Sequence, residues 1–154
     1  SLKFMEIYNA NTEHEDPGRD EEIWDEPLSQ DKFKLGVASD YSHDVYTQAG
    51  HTWIMVRSPY LTKSHILSAM NDGDFYTSTG VILSDYIAND TSIIVDSQNG
   101  DIIEFIGHNG ELLSIVYGTY AVYTFQGTES YVRARISNTT TNEYAWTQPV
   151  RVSD

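Results

Sequence analysis

Residues 92–117 read SIIVDSQNGDIIEFIGHNGELLSIVY, and the character of the second half of the chain is decided there. Three apolar runs, Ser92 to Asp96, Ile102 to Ile106 and Leu112 to Val116, are separated by Asn99-Gly100 and Asn109-Gly110. The runs are too short for helices, keep no helical period, and are rich in the β-branched residues that suit a pleated surface. Asn-Gly suits the two positive-φ positions of a type I′ turn, so successive runs read as β-hairpins. Further out, Tyr117 to Phe125, Tyr131 to Ile136 and a run beginning at Tyr144-Ala145-Trp146 add strands, with Thr139 to Asn142 as a turn. The expected result is a meander or small antiparallel β-sandwich of roughly five to seven strands.

Upstream the pattern is mixed. Phe4-Met5-Glu6-Ile7-Tyr8 alternates apolar and polar residues and reads as a strand. Ile23 to Ser29 suits a short helix limited by Pro27, and Phe33 to Ala38 a second strand. Trp53-Ile54-Met55-Val56, within Thr52 to Arg57, is almost wholly apolar, which predicts a strand buried on both faces. Thr62 is placed to cap a helix over Lys63 to Asn71, with Ile66, Leu67 and Met70 on one face and Gly73 at its end. Strands and helices alternate here, so the whole reads as α+β, with residues 1–87 and 88–154 as its two parts.

The formal net charge is -14, and much of it is local. Glu13 to Glu26 holds eight acids and one base, Arg19. Such a surface repels a nucleic-acid duplex. The run reads as a solvated loop, and its spacing does not match the Asp/Glu offsets of an EF-hand. The absence of cysteine removes disulfides, thiolate metal sites and a cysteine nucleophile. No apolar run approaches the roughly 18 residues of a membrane helix. The chain opens on Ser1 and passes at once into a strand, which leaves its compartment open.

Ser39-Asp40-Tyr41-Ser42-His43-Asp44 carries the clearest chemistry. The cluster follows a strand, the place where α/β folds gather functional groups. Carboxylate and imidazole in one loop suit zinc, manganese or iron. His51 precedes the next strand and is placed to approach the same loop. His14, His65 and His108 read as loop, helix and turn residues, and neither H-x-H nor H-E-x-x-H occurs. No nucleophile elbow, Walker A loop or dinucleotide-binding glycine pattern is present. Trp24, Trp53 and Trp146 read as core rather than as a sugar-stacking surface.

Six segments, in order, resemble one branch of the PHP (polymerase and histidinol phosphatase) superfamily. Phe4 to Asn9 is similar to its E-x-Y-N strand, and Trp24-Asp25 with Leu28-Ser29 to its W-D-x-x-L-S helix. Gly36-Val37-Ala38-Ser39-Asp40 with His43 resembles the late Asp/His ligand loop, and Trp53 to Val56 the G-W-I-M-V strand. Ile66 to Gly80 resembles I-L-x-A-x-x-x-G-x-F-Y-x-S-x-G, and Ala145 to Val150 the A-W-T/S-x-P-I ending of an accessory β domain.

The resemblance implies the C-terminal part of a (β/α) barrel hydrolysing phosphoesters with divalent zinc, manganese or iron, followed by the β-sandwich. It implies His43 as a metal ligand and Asp40 as a second, with Glu6 and Asn9 near the site. The family's late motif is D-x-H, whereas Tyr41 stands two before His43. The N-terminal H-x-H and the middle Glu and His ligands have no counterpart here, so the chain alone is expected to be inactive, and the metal is expected of the intact family while its binding to this chain stays open. Two further expectations follow. One is a homo-oligomer covering exposed barrel edges. The other is a non-catalytic function, in which the β domain binds carbohydrate or protein.

Overall fold

A computed structural model describes residues 3–10, 17–40 and 42–152 of the chain. The first layer is a β-α-β unit. Strands β1 (Phe4–Asn9) and β2 (Leu35–Ser39) pair in parallel through the crossover helix α1 (Pro17–Ser29). The helix begins earlier than its sequence pattern suggests, because proline is readily accepted in a first turn. Pro27 lies inside the helix near its end, where it removes one i→i−4 bond, and the helix stops two residues later at Ser29.

The short helix α2 (Val45–Gln48) precedes β3 (Trp53–Val56), α3 (Lys63–Asp72) and β4 (Phe75–Ser78). Thr62 caps α3 by accepting the His65 N–H, and Gly73 closes it in the left-handed conformation at φ 82°. The Gly73 turn sends the chain back, so β4 runs antiparallel to β3. There follow β5 (Leu83–Ala88), β6 (Ser92–Ser97), β7 (Ile102–Ile106), β8 (Leu112–Tyr117), β9 (Tyr120–Thr124), β10 (Tyr131–Asn138), β11 (Glu143–Thr147) and β12 (Val150–Arg151). One sheet has the order β3-β4-β11-β10-β7-β8, with β12 also paired to β10; a second has the order β5-β6-β9.

This architecture corrects the expectation of α+β built on a barrel remnant. The described residues are mostly β, the two larger sheets are antiparallel, and among these residues there is no barrel. Of the strands assigned to a barrel within residues 1–87, β3 and β4 instead join β11 in the larger sheet, while the antiparallel sheets accord with the expected β-sandwich. The boundary placed after Ile87 falls within β5, and the larger sheet draws strands from both sides of it. Strand β3 is not buried on both faces: among the described residues it pairs only with β4, and its side chains are half-buried or exposed.

Asn109-Gly110 forms the expected tight connection between β7 and β8, with φ of 55° and 75°. Asn99-Gly100 does not close a hairpin: β6 pairs with β5 and β9, whereas β7 pairs with β8 and β10. That turn hands the chain from one sheet to the other. The core between the sheets holds Val81, Ile93, Val95, Ile103, Phe105 and Ile136, all buried. A second cluster, Ile7, Trp24, Leu28, Tyr131 and Trp146, fixes the β-α-β unit to the larger sheet. Both Trp24 and Trp146 are therefore core residues. On α3, Ala69 is buried while Leu67 is exposed, which shifts the buried face from the one expected. Among the described residues no helix is long and apolar enough to cross a membrane.

Candidate functional site

The site candidates lie at the carboxyl end of the parallel pair. Asn9 and Ser39 are register partners at the ends of β1 and β2. The Glu6 carboxylate joins them, accepting from the Ser39 hydroxyl at 2.6 Å and from the Asn9 amide at 3.0 Å. A register shift between Glu6 and Tyr8 separates this end of β1 from the regular pairing before it.

Close packing beneath positions β2. A Cβ on Gly36 would lie 2.8 Å from both Ile7 Cδ1 and Trp24 Cζ2, so only glycine fits. Buried Gln148 clamps the same peptide, accepting from Gly36 N–H at 2.7 Å and donating to Gly36 C=O at 2.9 Å. The Thr77 hydroxyl donates to that carbonyl at 2.8 Å. The site's strand end is thereby tied to the sandwich.

Asp40 begins the loop after β2 but works chiefly within it. Its Oδ1 accepts from His51 N–H at 3.0 Å, Thr52 N–H at 2.7 Å and the Thr52 hydroxyl at 3.1 Å. Its Oδ2 accepts from Gly50 N–H at 2.5 Å. Partial burial pushes the Asp40 carboxyl up, but the Gly50, Thr52 and His51 donors outweigh it and hold it below the ordinary range. With Oδ1 saturated, only Oδ2 retains an acceptor direction for a cation. Asp40 and His51 are thus brought together through the His51 backbone, while the His51 ring donates to the Thr47 carbonyl at 3.3 Å.

His43 is exposed, and its N–H donates to Gln48 Oε1 at 2.8 Å, tying the loop to α2. Asp44 caps α2 by accepting from Tyr46 N–H. Tyr41, His14 and the acids at 13, 15 and 16 lie outside the described residues. His65 and His108 take the structural places expected: His65, in α3, packs against Tyr60 of the preceding loop, and His108 bonds Ser130 beside the hairpin turn.

Among the described residues no group of three or more His, Asp or Glu is placed to hold a metal ion. Glu6, His43 and Asp40 Oδ2 are the right donor types for zinc, manganese or iron. Among the described residues they do not make up a ligand set.

A buried ionic cluster escapes the sequence reading. Glu21 and Asp25, one turn apart on α1, are each only 4% exposed, so this part of the acidic run is not a solvated loop. They face Arg133 of β10, which is 1% exposed. Arg133 grips Asp25 at 2.9 and 2.7 Å and Glu21 at 2.8 Å, and lies over the Trp24 ring. Arg135 bonds Glu21 at 3.0 Å and Glu104 at 2.8 Å, and the Tyr131 hydroxyl donates to Asp25 at 2.7 Å. Burial alone would raise the Glu21 carboxyl; the Arg133 and Arg135 guanidiniums outweigh it and hold it below its ordinary value. The usable sequence signal is the spacing: Glu21 and Asp25 share a helix face, and Arg133 and Arg135 share a strand face.

No protein-family model, curated protein or solved structure matches the chain.

Proposed function

We propose that the chain supplies one margin of a divalent-metal site in a phosphoesterase, acting on a phosphoester substrate, and that the remaining ligands come from residues outside this sequence. The observation that carries this reading is the convergence of Glu6, Asn9 and Ser39 at the carboxyl end of two parallel strands. The loop bearing Asp40 and His43 leaves from that same end. The ordered resemblance to the PHP superfamily supports the same choice.

A divalent ion held there polarises a phosphoryl oxygen and acidifies bound water. In the proposal His43 ligates directly, Asp40 does so through Oδ2 alone, and Glu6 binds or orients through the oxygens that now hold Ser39 and Asn9. His51 is a positioning residue, because its ring is directed to Thr47. The chain by itself is inactive. Manganese-induced broadening of amide resonances tests the assignment. Selective loss of signals from residues 6–9 and 39–44 supports it; broadening centred elsewhere overturns it.

The second reading, a non-catalytic module binding carbohydrate or protein, draws on Tyr117 and Tyr120, which are 77% and 57% exposed on either side of the β8–β9 turn. Exposed Leu112 and Ile115 share strand β8 with Tyr117, at the edge of the larger sheet. In either reading we propose that this edge makes a homo-oligomeric contact. Size-exclusion chromatography with light scattering tests it: a larger species broken by Tyr117→Lys supports the contact, and a monomer at all concentrations contradicts it.

A further inference from the structure

A cleft of about 470 Å³, within the size range of a binding pocket, is bordered by Phe33 and by Leu35, where β2 begins. One wall is β5 over its whole length, Leu83 to Ala88. Strand β5 is an edge: among the described residues it pairs with β6 and with no other strand. The Tyr86 N–H donates instead to the neighbouring Asp85 carboxylate at 2.8 Å, so this main-chain donor is not used in a strand ladder. The opposite wall and floor include Met55, Phe75 and Pro149, which offer apolar contact.

The cleft is also acidic. Among its described lining residues, Asp72, Asp74 and Asp85 stand against one cation, Arg57. Arg57 pairs with Asp85 at 2.6 Å, and Asp72 accepts from the Ser68 hydroxyl at 3.2 Å. Asp74 has no ion-pair partner among the described residues. A second copy of this chain, with net charge -14, would bring more negative charge to this end.

We infer that the β5 cleft binds an extended, basic peptide segment of a partner protein, added as a strand to the free edge of β5. The main chain of the peptide takes over the outward N–H and C=O groups of β5, displacing the Asp85 carboxylate from Tyr86. Alternate side chains reach the apolar floor, and a lysine or arginine at one end meets Asp74 and Asp72. The inference is independent of the phosphoesterase reading, since none of these residues belongs to the strand end described above.

Fluorescence anisotropy with a labelled hexapeptide of alternating lysine and valine tests it, beside the same peptide with glutamate for lysine. The lysine peptide is expected to bind and the glutamate peptide not. Asp72→Asn with Asp74→Asn, at exposed positions that threaten no fold, is expected to weaken binding about tenfold. Ala88→Pro removes an N–H on the same side of the edge as that of Tyr86 and is expected to abolish binding. Equal binding of both peptides, or affinity unchanged in the double aspartate variant, overturns the inference. So does equal affinity for the lysine peptide and for free butylamine, which would remove the strand component.

Discussion

Replacing Arg133 by alanine removes one cation from between two buried carboxylates. Three charge-assisted bonds go with it, at 2.9 and 2.7 Å to Asp25 and 2.8 Å to Glu21. Glu21 keeps Arg135 at 3.0 Å, whereas Asp25 keeps the neutral Tyr131 hydroxyl. Most of the cost therefore falls on Asp25, a carboxylate 4% exposed that loses its cation. Stripping one partner from such a pair costs about 3–5 kcal/mol. For a chain of this length that corresponds to a fall in Tm of about 10 °C. Urea and thermal melts followed by the fluorescence of buried Trp24 and Trp146 measure it. The loss should narrow as pH falls from 7 toward 4. Acid is expected to relieve the penalty, because a buried carboxylate without a cation is costly only in its charged form. Replacing Glu21, Asp25 and Arg133 together by Leu, Leu and Met should recover part of the loss, because the isolated charge is gone. A cost of Arg133→Ala below about 1 kcal/mol, constant with pH, would refute the claim that this cluster fastens α1 to the sheet.

Other outcomes follow from single contacts. Gly36→Ala drives a methyl against Ile7 and Trp24 and should cost about 1–3 kcal/mol in a urea melt. Asp40→Asn presents an amide donor to a loop N–H and should cost about 1 kcal/mol, with faster hydrogen exchange at Gly50, His51 and Thr52. The Tyr123 phenol is pushed up to about 12 by burial and by its bond to Glu129; ultraviolet titration should show Glu129→Gln bringing it back toward 10.0. The carboxyls of Glu21, Asp40 and Glu129 are all held below their ordinary values. Their stabilisation is complete above the unfolded-state pKa of about 4 and is lost as pH falls through the lower folded-state values. Acid titration of stability should therefore decline below about pH 4–5, and less steeply in Glu129→Gln.

The local grammar of the chain was largely legible. The Thr62 cap, the Gly73 stop and the Asn109-Gly110 hairpin are decided by neighbours in sequence, and each forms as its residues suggest. Pairing was not legible where partners are distant. Asn99-Gly100 has the same composition as a hairpin turn, yet packing in the core sends β6 and β7 to different sheets. The apolar run at Trp53 to Val56 resembles a central strand, but strand order makes it an edge. At the candidate site, sequence adjacency made Asp40 and His43 look like a ligand pair. The fold spends most of Asp40's acceptor capacity on residues 50–52, ten or more positions away. The bond between Glu6 and Ser39 depends on the parallel register of two strands separated by a helix, which no local pattern encodes.

The most direct test of the proposed function is a zinc titration by calorimetry on the wild-type chain, His43→Ala and Glu6→Gln at neutral pH. One weak site per chain, lost in His43→Ala and weakened in Glu6→Gln, is the expected result. Zinc uptake that is absent from the wild type, or unchanged in both variants, would contradict a metal-site margin at the ends of β1 and β2.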